Sequence, residues 1–326
     1  MGSINLITGA TGFIGRRLRQ ADDRALVRSG GAVKGAVIGD LLNKVSLGSA
    51  CDGVACIFHC AGYAHAFSSF NPELHWCINF EGTRNLLDAA GEAGVKRFVF
   101  LSSVKAMAEP GDACADEDWS GEPLTPYGKA KRAAEDAVLE AGAKYGMHVV
   151  NLRLVMVYGR GGRGNLERMA QGIKAGWFPP LPEAGNRRSL VHVDDVVAVM
   201  RLVAEKTEAN GRTYIVADPK PYSGRGIYDA IRIVLAQGAD PPAPTFPWRV
   251  PAGLLQAGGA VGDLLGALLR RQLPLNSEVV DRLLGSAWYS PARIESELGW
   301  RAQIGLSEGL REMLDTFGKV PGEGPV

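Results

Sequence analysis

The sequence predicts an α/β fold, in which a doubly wound parallel sheet carries helices on both faces and a smaller lobe is appended. Three observations lead to this prediction. Short apolar runs alternate with helix-like segments through the first half of the chain, which is the pattern of βαβ units. The first apolar run is followed at once by a glycine-rich turn and a helix. The 326 residues exceed the size at which a single core usually stops growing, so a second lobe is expected.

Each predicted strand is a short run rich in branched or aromatic side chains between turn residues. The run at 54–62 is apolar throughout, so we expect it at the buried centre of the sheet. The run at 212–218 is expected to return to the main sheet after an excursion of the chain. The predicted strands are INLIT (4–8), RALVR (24–28), GAVIGDL (35–41), VACIFHCAG (54–62), RFVFLSS (97–103), VVNLRLVMVYG (149–159), SLVHV (189–193) and RTYIVAD (212–218), with helices from about Ile14, over 74–93 and from Pro126.

These elements divide the chain into a sheet domain, residues 1–165 plus 189–218, and a discontinuous C-terminal substrate lobe, residues 166–188 plus 219–326. The most apolar later stretch, Pro251–Leu269, is interrupted by Asp263 and is rich in glycine and alanine. It is therefore too weak for a membrane span. We expect a helix packed on the lobe, with contact at a membrane surface as the alternative.

The composition is that of an ordinary globular protein, with 46% hydrophobic and 22% charged residues. The net charge of +1 comes with acids and bases mixed along the chain, which disfavours nucleic acid as a partner. Five cysteines without paired spacing, and no basic leader before the first strand, predict a cytoplasmic protein with reduced thiols. No metal site is expected, because Cys56, His59 and Cys60 lie in an apolar strand-like run without ligand spacing.

A glycine motif, TGATGFIG at residues 8–15, stands between the first strand and the first helix with the spacing G-x-x-G-x-x-G. Glycine permits a tight turn, a close approach of the backbone to a pyrophosphate, and close packing of helix on strand. The phosphates then lie at the positive end of the helix. In this context the motif predicts a dinucleotide site on a Rossmann domain. The predicted contacts are Gly9, Thr11, Gly12, Phe13, Ile14 and Gly15.

The choice between the two nicotinamide dinucleotides depends on the end of the second strand. NAD sites usually carry an acid there for the ribose 2′-hydroxyl, whereas this chain has Arg28 followed by Ser29. A guanidinium can pair with a 2′-phosphate, and Arg16 follows the third glycine. We therefore expect NADP(H), with NAD as the alternative.

A tyrosine and a lysine in the segment PYGKAK form the predicted catalytic pair. Tyr127 and Lys131 are four residues apart, so both side chains lie on one face of a helix. The lysine charge is expected to lower the pKa of the phenol, which can then exchange a proton with a substrate oxygen while a nicotinamide exchanges hydride. Ser103, at the end of a strand, would hydrogen-bond the same oxygen.

The order of these motifs, first glycines, then serine, then tyrosine and lysine, resembles the short-chain dehydrogenase/reductase superfamily. Over nearly its whole length the chain is similar to the extended branch, the NAD-dependent epimerase/dehydratase family. Its GDL (39–41), HCAG (59–62), INFEGTRN (78–85) and LGW (298–300) segments match family elements. The resemblance adds cofactor contacts, which are Asp40, Leu41, Ala61, Gly62, Asn79, Tyr127 and Lys131.

Within that family, GRGNL (162–166) and GNRRSLVHVDD (185–195) resemble bacterial nucleotide-sugar enzymes of surface-polysaccharide assembly. The resemblance implies that Arg188 binds the pyrophosphate of a nucleotide-sugar substrate, with Asn165 and Arg282 as further contacts. The family's 4,6-dehydratases carry Asp-Glu where Val104-Lys105 follow Ser103 in this chain, so dehydration is not expected. Arg153-Leu154 stands where the family often has Arg-Pro, which is expected to reshape the loop on the nicotinamide side.

The leading functional expectation is an NAD(P)H-dependent reductase acting at C4 of a nucleotide-linked 4-keto (6-deoxy) sugar, with Tyr127 as the acid. A nucleotide-sugar 4-epimerase that retains NAD is the close alternative. A dehydrogenase of steroid-like alcohols is disfavoured by the paired arginines at 187–188. A non-catalytic NADP-sensing protein on the same fold is disfavoured by the retained tyrosine and lysine. The family resemblance also implies a homodimer through the helices near 74–93 and 127–144.

Overall fold

A computed structural model describes residues 4–30, 33–63, 72–162, 164–238, 250–269 and 276–315. Its centre is a seven-stranded sheet in which every pair of neighbouring strands is parallel. The strands are β1 (Ile4–Thr8), β2 (Arg24–Val27), β3 (Ala36–Ile38), β4 (Val54–His59), β5 (Arg97–Ser103), β6 (Cys114–Ala115), β7 (His148–Leu154), β8 (Met156–Tyr158), β9 (Leu190–His192), β10 (Arg212–Val216) and β11 (Trp288–Tyr289).

Helices cover the two faces of this sheet and build the lobe. They are α1 (Gly15–Leu18), α2 (Val45–Cys51), α3 (Pro72–Trp76), α4 (Gly82–Glu92), α5 (Pro126–Tyr145), α6 (Asn165–Lys174), α7 (Val193–Glu205), α8 (Gly224–Gln237), α9 (Ala252–Leu269), α10 (Ser277–Leu284), α11 (Ala292–Leu298) and α12 (Leu306–Leu314). A π-helical turn, Cys77–Glu81, joins α3 to α4. The predicted α/β fold class is confirmed.

The strand order across the sheet is β10-β7-β5-β4-β1-β2-β3. After β1 the chain builds outward through β2 and β3, then crosses back to β4 on the other side of β1. The direction of winding thus reverses between β1 and β4, and in open α/β sheets ligands bind at such a point, beyond the carboxyl ends of the strands.

Burial on both faces explains why the strand segments read as nearly continuous apolar runs. Leu6 and Ile7 are adjacent and fully buried, yet they belong to the two separate apolar clusters on opposite faces of the sheet. Phe98 and Val99 repeat this arrangement in β5. Side chains alternate between faces along a strand, so only a sheet covered on both sides needs apolar residues at every position.

Three predicted strands differ from the structure by more than two residues, and one of them, 54–62, ends at His59. The segment 149–159, expected as one strand, divides at Val155: β7 stays in the main sheet, whereas β8 pairs with β9 in a separate two-stranded sheet. An apolar run carries no signal for a change of partner, because both halves are buried. The segment 35–41 is a strand only over Ala36–Ile38, since Gly39 donates to Val27 as the chain leaves the sheet. The strand predicted at 97–103 is confirmed, and β10 extends the main sheet as expected.

The lobe has an apolar cluster of its own, built mainly from α6, α8, α12 and the inner faces of α9 and α10. Helix α9 matches the helix expected at 251–269. It packs on α10 through Gly259, where a Cβ atom would come within 3.1 Å of the Ser277 backbone. Within the described residues, no helix combines the length and apolarity that a membrane crossing requires. This separate cluster supports the predicted lobe (166–188 plus 219–326) only for the helices named above, because Tyr289 and Ile294 pack in the apolar cluster of the main sheet. The boundaries, and dimerisation through α4 and α5, stay predictions.

Candidate active site

The glycine motif forms the loop between β1 and α1, at the point where the strand order reverses. Gly9 adopts φ +63° and lies against the next strand's loop, where a Cβ atom would come within 2.8 Å of the Ala61 nitrogen. A Cβ at Gly15 would collide with the carbonyl oxygen of Gly9. Only glycine permits this packing of loop on loop and of helix on turn.

The rest of the motif opens towards solvent at the start of α1. Thr11 and Gly12 are exposed, and Phe13 and Ile14 are half-buried. The turn is closed by hydrogen bonds from Gly12 N to Gly9 O (2.9 Å) and from Arg16 N to Gly12 O (3.1 Å). These predicted dinucleotide contacts therefore form one accessible turn, whose residues fit a pyrophosphate at a helix N-terminus.

A second wall of the cleft is the loop after β4, which holds Ala61 and Gly62. The side-chain amide of Asn79 pairs with the backbone of Tyr63, accepting from its N–H (2.8 Å) and donating to its carbonyl (2.9 Å). A Cβ at Gly62 would lie 3.1 Å from Asn79 Oδ1 and 3.4 Å from Lys131 Nζ. The structure thus brings three predicted cofactor residues, Gly62, Asn79 and Lys131, to one place.

Tyr127 lies in the first turn of α5, the helix that Thr125 caps by accepting from Gly128 N (3.0 Å). Proline at the first helical position suits this start. Burial raises the pKa of Tyr127, and a hydrogen bond with the Ser103 hydroxyl acts in the opposite direction. The expectation that Lys131 lowers the pKa of this phenol is therefore wrong for the protein alone, because desolvation of the phenolate dominates.

Lys131 follows one turn later and is 4% exposed. Its Nζ donates to the carbonyl of Leu101 (2.8 Å) and lies 4.5 Å from the ring centroid of Phe100. An ammonium has three donors, and within the described residues the other two have no acceptor. Burial lowers the pKa of Lys131 to about 8, although the charge of Glu135 partly opposes this. A buried cation with spare donors fits the hydroxyls of a bound ribose.

This buried cation should cost folding stability, and the cost should depend on pH. Below about pH 8 Lys131 is charged in both states; as pH rises through 8 the folded protein loses this proton, whereas the unfolded chain keeps it to about 10.5. The free energy of unfolding should therefore rise over that window. Lys131→Met should be more stable at pH 7 by roughly 3 kcal/mol and lack the rise, as measured by urea unfolding without cofactor. Lys129→Met, exposed on the same helix, is the control, and equal behaviour of both variants would contradict the interpretation.

Glu135 lies one turn after Lys131 on α5 and forms a buried ion pair with Arg153. Arg153 Nη2 lies 2.7 Å from Glu135 Oε2, and Arg153 Nε lies 3.0 Å from Oε1, with side-chain exposures of 7% and 3%. Ser102 donates to the same carboxylate (2.5 Å). Sequence reasoning missed the role of Glu135, although its spacing of i+4 from Lys131 was a usable signal. Arg153 thereby anchors β7 to α5.

The residues predicted at the adenine end lie at the surface. Arg28 is exposed directly after β2. Arg16 donates to the carbonyl of Gly161 (2.7 Å), so its guanidinium already joins α1 to the loop after β8. Asp40 is exposed and accepts from Leu42 N (3.0 Å), and the carbonyl of Leu41 accepts from Asn85 (2.9 Å).

The residues predicted for substrate binding lie in or beside the lobe. Asn165 is exposed at the first position of α6. Arg188 pairs through its backbone with Tyr222, and its Nη1 donates to the carbonyl of Gly285, just after α10 (2.9 Å). Arg187 stacks on Trp288, 4.5 Å from the ring centroid. Arg282 belongs to α10, but its side chain lies outside the described residues.

One group of side chains in the described part of the chain has the spacing of metal ligands: His192, Asp194 and Glu312, with ligand atoms within 4.8 Å of one another. The Arg17 guanidinium pairs with both carboxylates, at 2.5 Å and 2.9 Å. His192 Nδ1 accepts from Asp194 N (3.3 Å). Asp194 and Glu312 therefore already share the positive charge of Arg17, and the three side chains join α1 to α12.

Comparisons with known proteins agree with this geometry. The profile of the NAD-dependent epimerase/dehydratase family matches residues 5–217. A UDP-glucose 4-epimerase of Vibrio cholerae is 28% identical, covering 96% of this chain and 94% of that protein. The N-acetyl-alpha-D-glucosaminyl-diphospho-ditrans,octacis-undecaprenol 4-epimerase of Escherichia coli O157:H7 is 24% identical, covering 95% and 93%. The structure of MoeE5 in complex with UDP-glucose and NAD is 25% identical, with a TM-score of 0.72 and coverage of 97% and 99%.

Proposed function

Because the chain belongs to the NAD-dependent epimerase/dehydratase family, we propose that it is a 4-epimerase of a sugar carried on a nucleoside diphosphate. The observation that carries the proposal is the grouping of Ser103, Tyr127 and Lys131 beside the glycine loop, with the phenol as the group that exchanges the proton. An epimerase needs a single group that removes and returns one proton on one oxygen, and two of the relatives are 4-epimerases by name.

In this proposal the protein's own groups manage the proton. The Tyr127 oxygen takes the proton of the C4 hydroxyl. After the keto sugar has rotated to present its other face, Tyr127 returns the proton to the C4 oxygen. Ser103, whose hydroxyl opposes the rise in the pKa of Tyr127, holds that oxygen in line. Lys131 holds the ribose through its spare donors. The bound dinucleotide supplies the acceptor and donor of hydride.

The same site is poorly equipped for dehydration, which needs a second acid–base pair at the neighbouring carbons. Val104 is buried, and Lys105 is turned to the surface, where it pairs with Glu109. Neither position offers a carboxylate. We therefore propose chemistry confined to the C4 oxygen and hydrogen.

For the diphosphate we propose Arg188, Asn165 and Arg282, which lie on segments of the lobe or at its border. Arg188 donates from one nitrogen to Gly285 O, which ties it to the end of the helix that carries Arg282. A guanidinium beside this helix suits a diphosphate, because its planar N–H fork matches the geometry of phosphate oxygens.

A second candidate is the reductase of a nucleotide-linked 4-keto sugar, with NADPH as the reductant. Arg28 favours it, because this exposed guanidinium stands at the end of β2, where a 2′-phosphate would lie. A dissociable cofactor suits net reduction, whereas an epimerase ends each turnover with its cofactor in the starting state.

One set of measurements separates the two. We expect purified protein to release NAD close to one per chain on denaturation, and to interconvert UDP-galactose and UDP-glucose without added cofactor, followed by chromatography of the sugars. Protein that carries little NAD and consumes NADPH with a UDP- or dTDP-linked 4-keto sugar would make the reductase the correct assignment. Failure in both assays would overturn the proposal.

A further inference from the structure

A buried histidine that the proposed reaction does not use connects the two walls of the cofactor cleft. His59 ends β4 and is fully buried. Its two ring nitrogens each meet a threonine hydroxyl: Nδ1 lies 2.6 Å from Thr8 Oγ1, and Nε2 lies 2.9 Å from Thr83 Oγ1. Thr8 ends β1, immediately before the glycine loop, and Thr83 lies in the first turn of α4.

The hydrogen bonds around these groups fix where each proton lies. The Thr83 hydroxyl donates to the carbonyl of Asn79 (2.8 Å), so towards His59 it can only accept, and Nε2 must carry the hydrogen. The Thr8 oxygen accepts from Ala61 N (3.1 Å), and its own proton is free to go to a bare Nδ1. Every donor then has an acceptor, with an uncharged imidazole. A second ring proton would leave the Thr8 hydroxyl without its acceptor.

The surroundings favour the same uncharged state. His59 stacks on Phe100, with ring centroids 5.5 Å apart and planes 26° apart, and Lys131 Nζ lies 4.5 Å from the same Phe100 ring. Burial and the nearby Lys131 charge lower the pKa of His59 to about 3. His59 therefore places no second positive charge beside Lys131.

Beyond Thr83, the contacts lead to the nicotinamide end of the cleft. Asn79 belongs to the π-helical turn, and π-turns often occur at functional sites. The Thr83 hydroxyl donates to the backbone carbonyl of Asn79. The side-chain amide of Asn79 in turn bonds both the N–H and the carbonyl of Tyr63. Tyr63 follows Gly62, which lies against Lys131. A series of hydrogen-bonded residues, with buried bonds from Thr8 to Asn79 and part-buried bonds at Tyr63, thus connects the end of β1 to the backbone beside Lys131.

We propose that His59 is a positioning residue, which as the uncharged Nε2–H tautomer fixes the Asn79 turn and the Gly62–Tyr63 backbone relative to the glycine loop. It acts through Thr8 on one side and Thr83 on the other and touches no reacting atom. The inference rests on the proposed function for its kinetic consequence, but the coupling between the two walls exists whichever sugar is the substrate.

Two matched pairs of variants test this. Thr83→Val removes the hydroxyl at constant shape, and Thr83→Ser keeps it. We expect the first to lower kcat ~10-fold, because small displacements at a reacting centre are costly, while the Kd of NADH changes much less; the second should restore kcat to within about 2-fold of wild type. In the other pair, His59→Gln keeps a donor near the Nε2 position and His59→Asn keeps an acceptor near Nδ1. His59→Asn should lose kcat as Thr83→Val does, and His59→Gln should lose less.

The emission of bound NADH, which reports on the surroundings of the nicotinamide, gives a readout that needs no sugar substrate. It should change in Thr83→Val and return in Thr83→Ser. Three outcomes would each overturn the proposal. Thr83→Val could keep the kcat and the emission of wild type, both Thr83 variants could lose the same amount of kcat, or His59→Gln could lose more kcat than His59→Asn. Wild-type protein that binds NADH but turns over no sugar would instead count against the proposed function, and the emission comparison would still decide the role of His59.

Discussion

Tyr127→Phe should lower turnover by ~10³-fold while leaving the affinity for NADH nearly unchanged. In the proposed mechanism the phenol exchanges the proton, and phenylalanine keeps its ring, including the edge-to-face contact with His75 at 5.7 Å. Without the hydroxyl, the C4 oxygen can neither lose nor regain its proton through the protein. Steady-state kinetics with UDP-galactose, together with fluorescence titration of NADH, measure the two halves of this expectation.

Tyr145→Phe is the matched control for this variant. Tyr145 ends the same helix, and its hydroxyl donates to Asp88 (3.0 Å), away from the cleft. Its loss should cost at most about 1 kcal/mol of stability and leave kcat as in wild type. A Tyr127→Phe variant that retains a tenth or more of wild-type turnover would show that another group moves the proton.

The sequence could predict the strand–turn–helix around the glycines because it is a local pattern. Spacing alone brings Gly9 and Gly15 into one turn, and the i, i+4 rule places Tyr127 and Lys131 on one face. The alternation of strands and helices likewise predicts a parallel sheet, because few other arrangements connect such units. The glycine turn and the shared face of Tyr127 and Lys131 depend only on neighbours within a few residues of one another.

What sequence reasoning missed depends on contacts between distant segments. Nothing in the sequence around His59 shows that Thr8 and Thr83 will meet its two ring nitrogens, from 51 and 24 residues away. The pKa of Tyr127 was predicted with the wrong sign because a nearby positive charge can be guessed from spacing, whereas desolvation depends on the whole fold. The split of the strand at Val155 has the same origin: both partner strands are apolar, so hydropathy cannot distinguish them.

Glu135→Gln should lower the free energy of unfolding by about 3–5 kcal/mol, because it leaves the buried Arg153 guanidinium without its charge partner. The amide can offer only one acceptor oxygen to the two nitrogens of Arg153 that now contact both carboxylate oxygens. Urea unfolding measures the loss. Glu140→Gln, the same change at an exposed position on the same helix, should have an effect within about 0.5 kcal/mol of zero.

The double variant Glu135→Leu with Arg153→Met distinguishes a lost charge partner from a lost shape. It removes both charges at similar volume, and it should be more stable than Glu135→Gln, because no charge is left buried alone. A double variant as unstable as the single one would mean that packing, not charge, gives Glu135 its importance.

The Glu135 charge also raises the pKa of Lys131. Its removal should therefore move that pKa below about 8, so that activity in Glu135→Gln falls off at a lower pH than in wild type. The Glu135 carboxylate would then affect both the stability of the contact between α5 and β7 and the charge of Lys131.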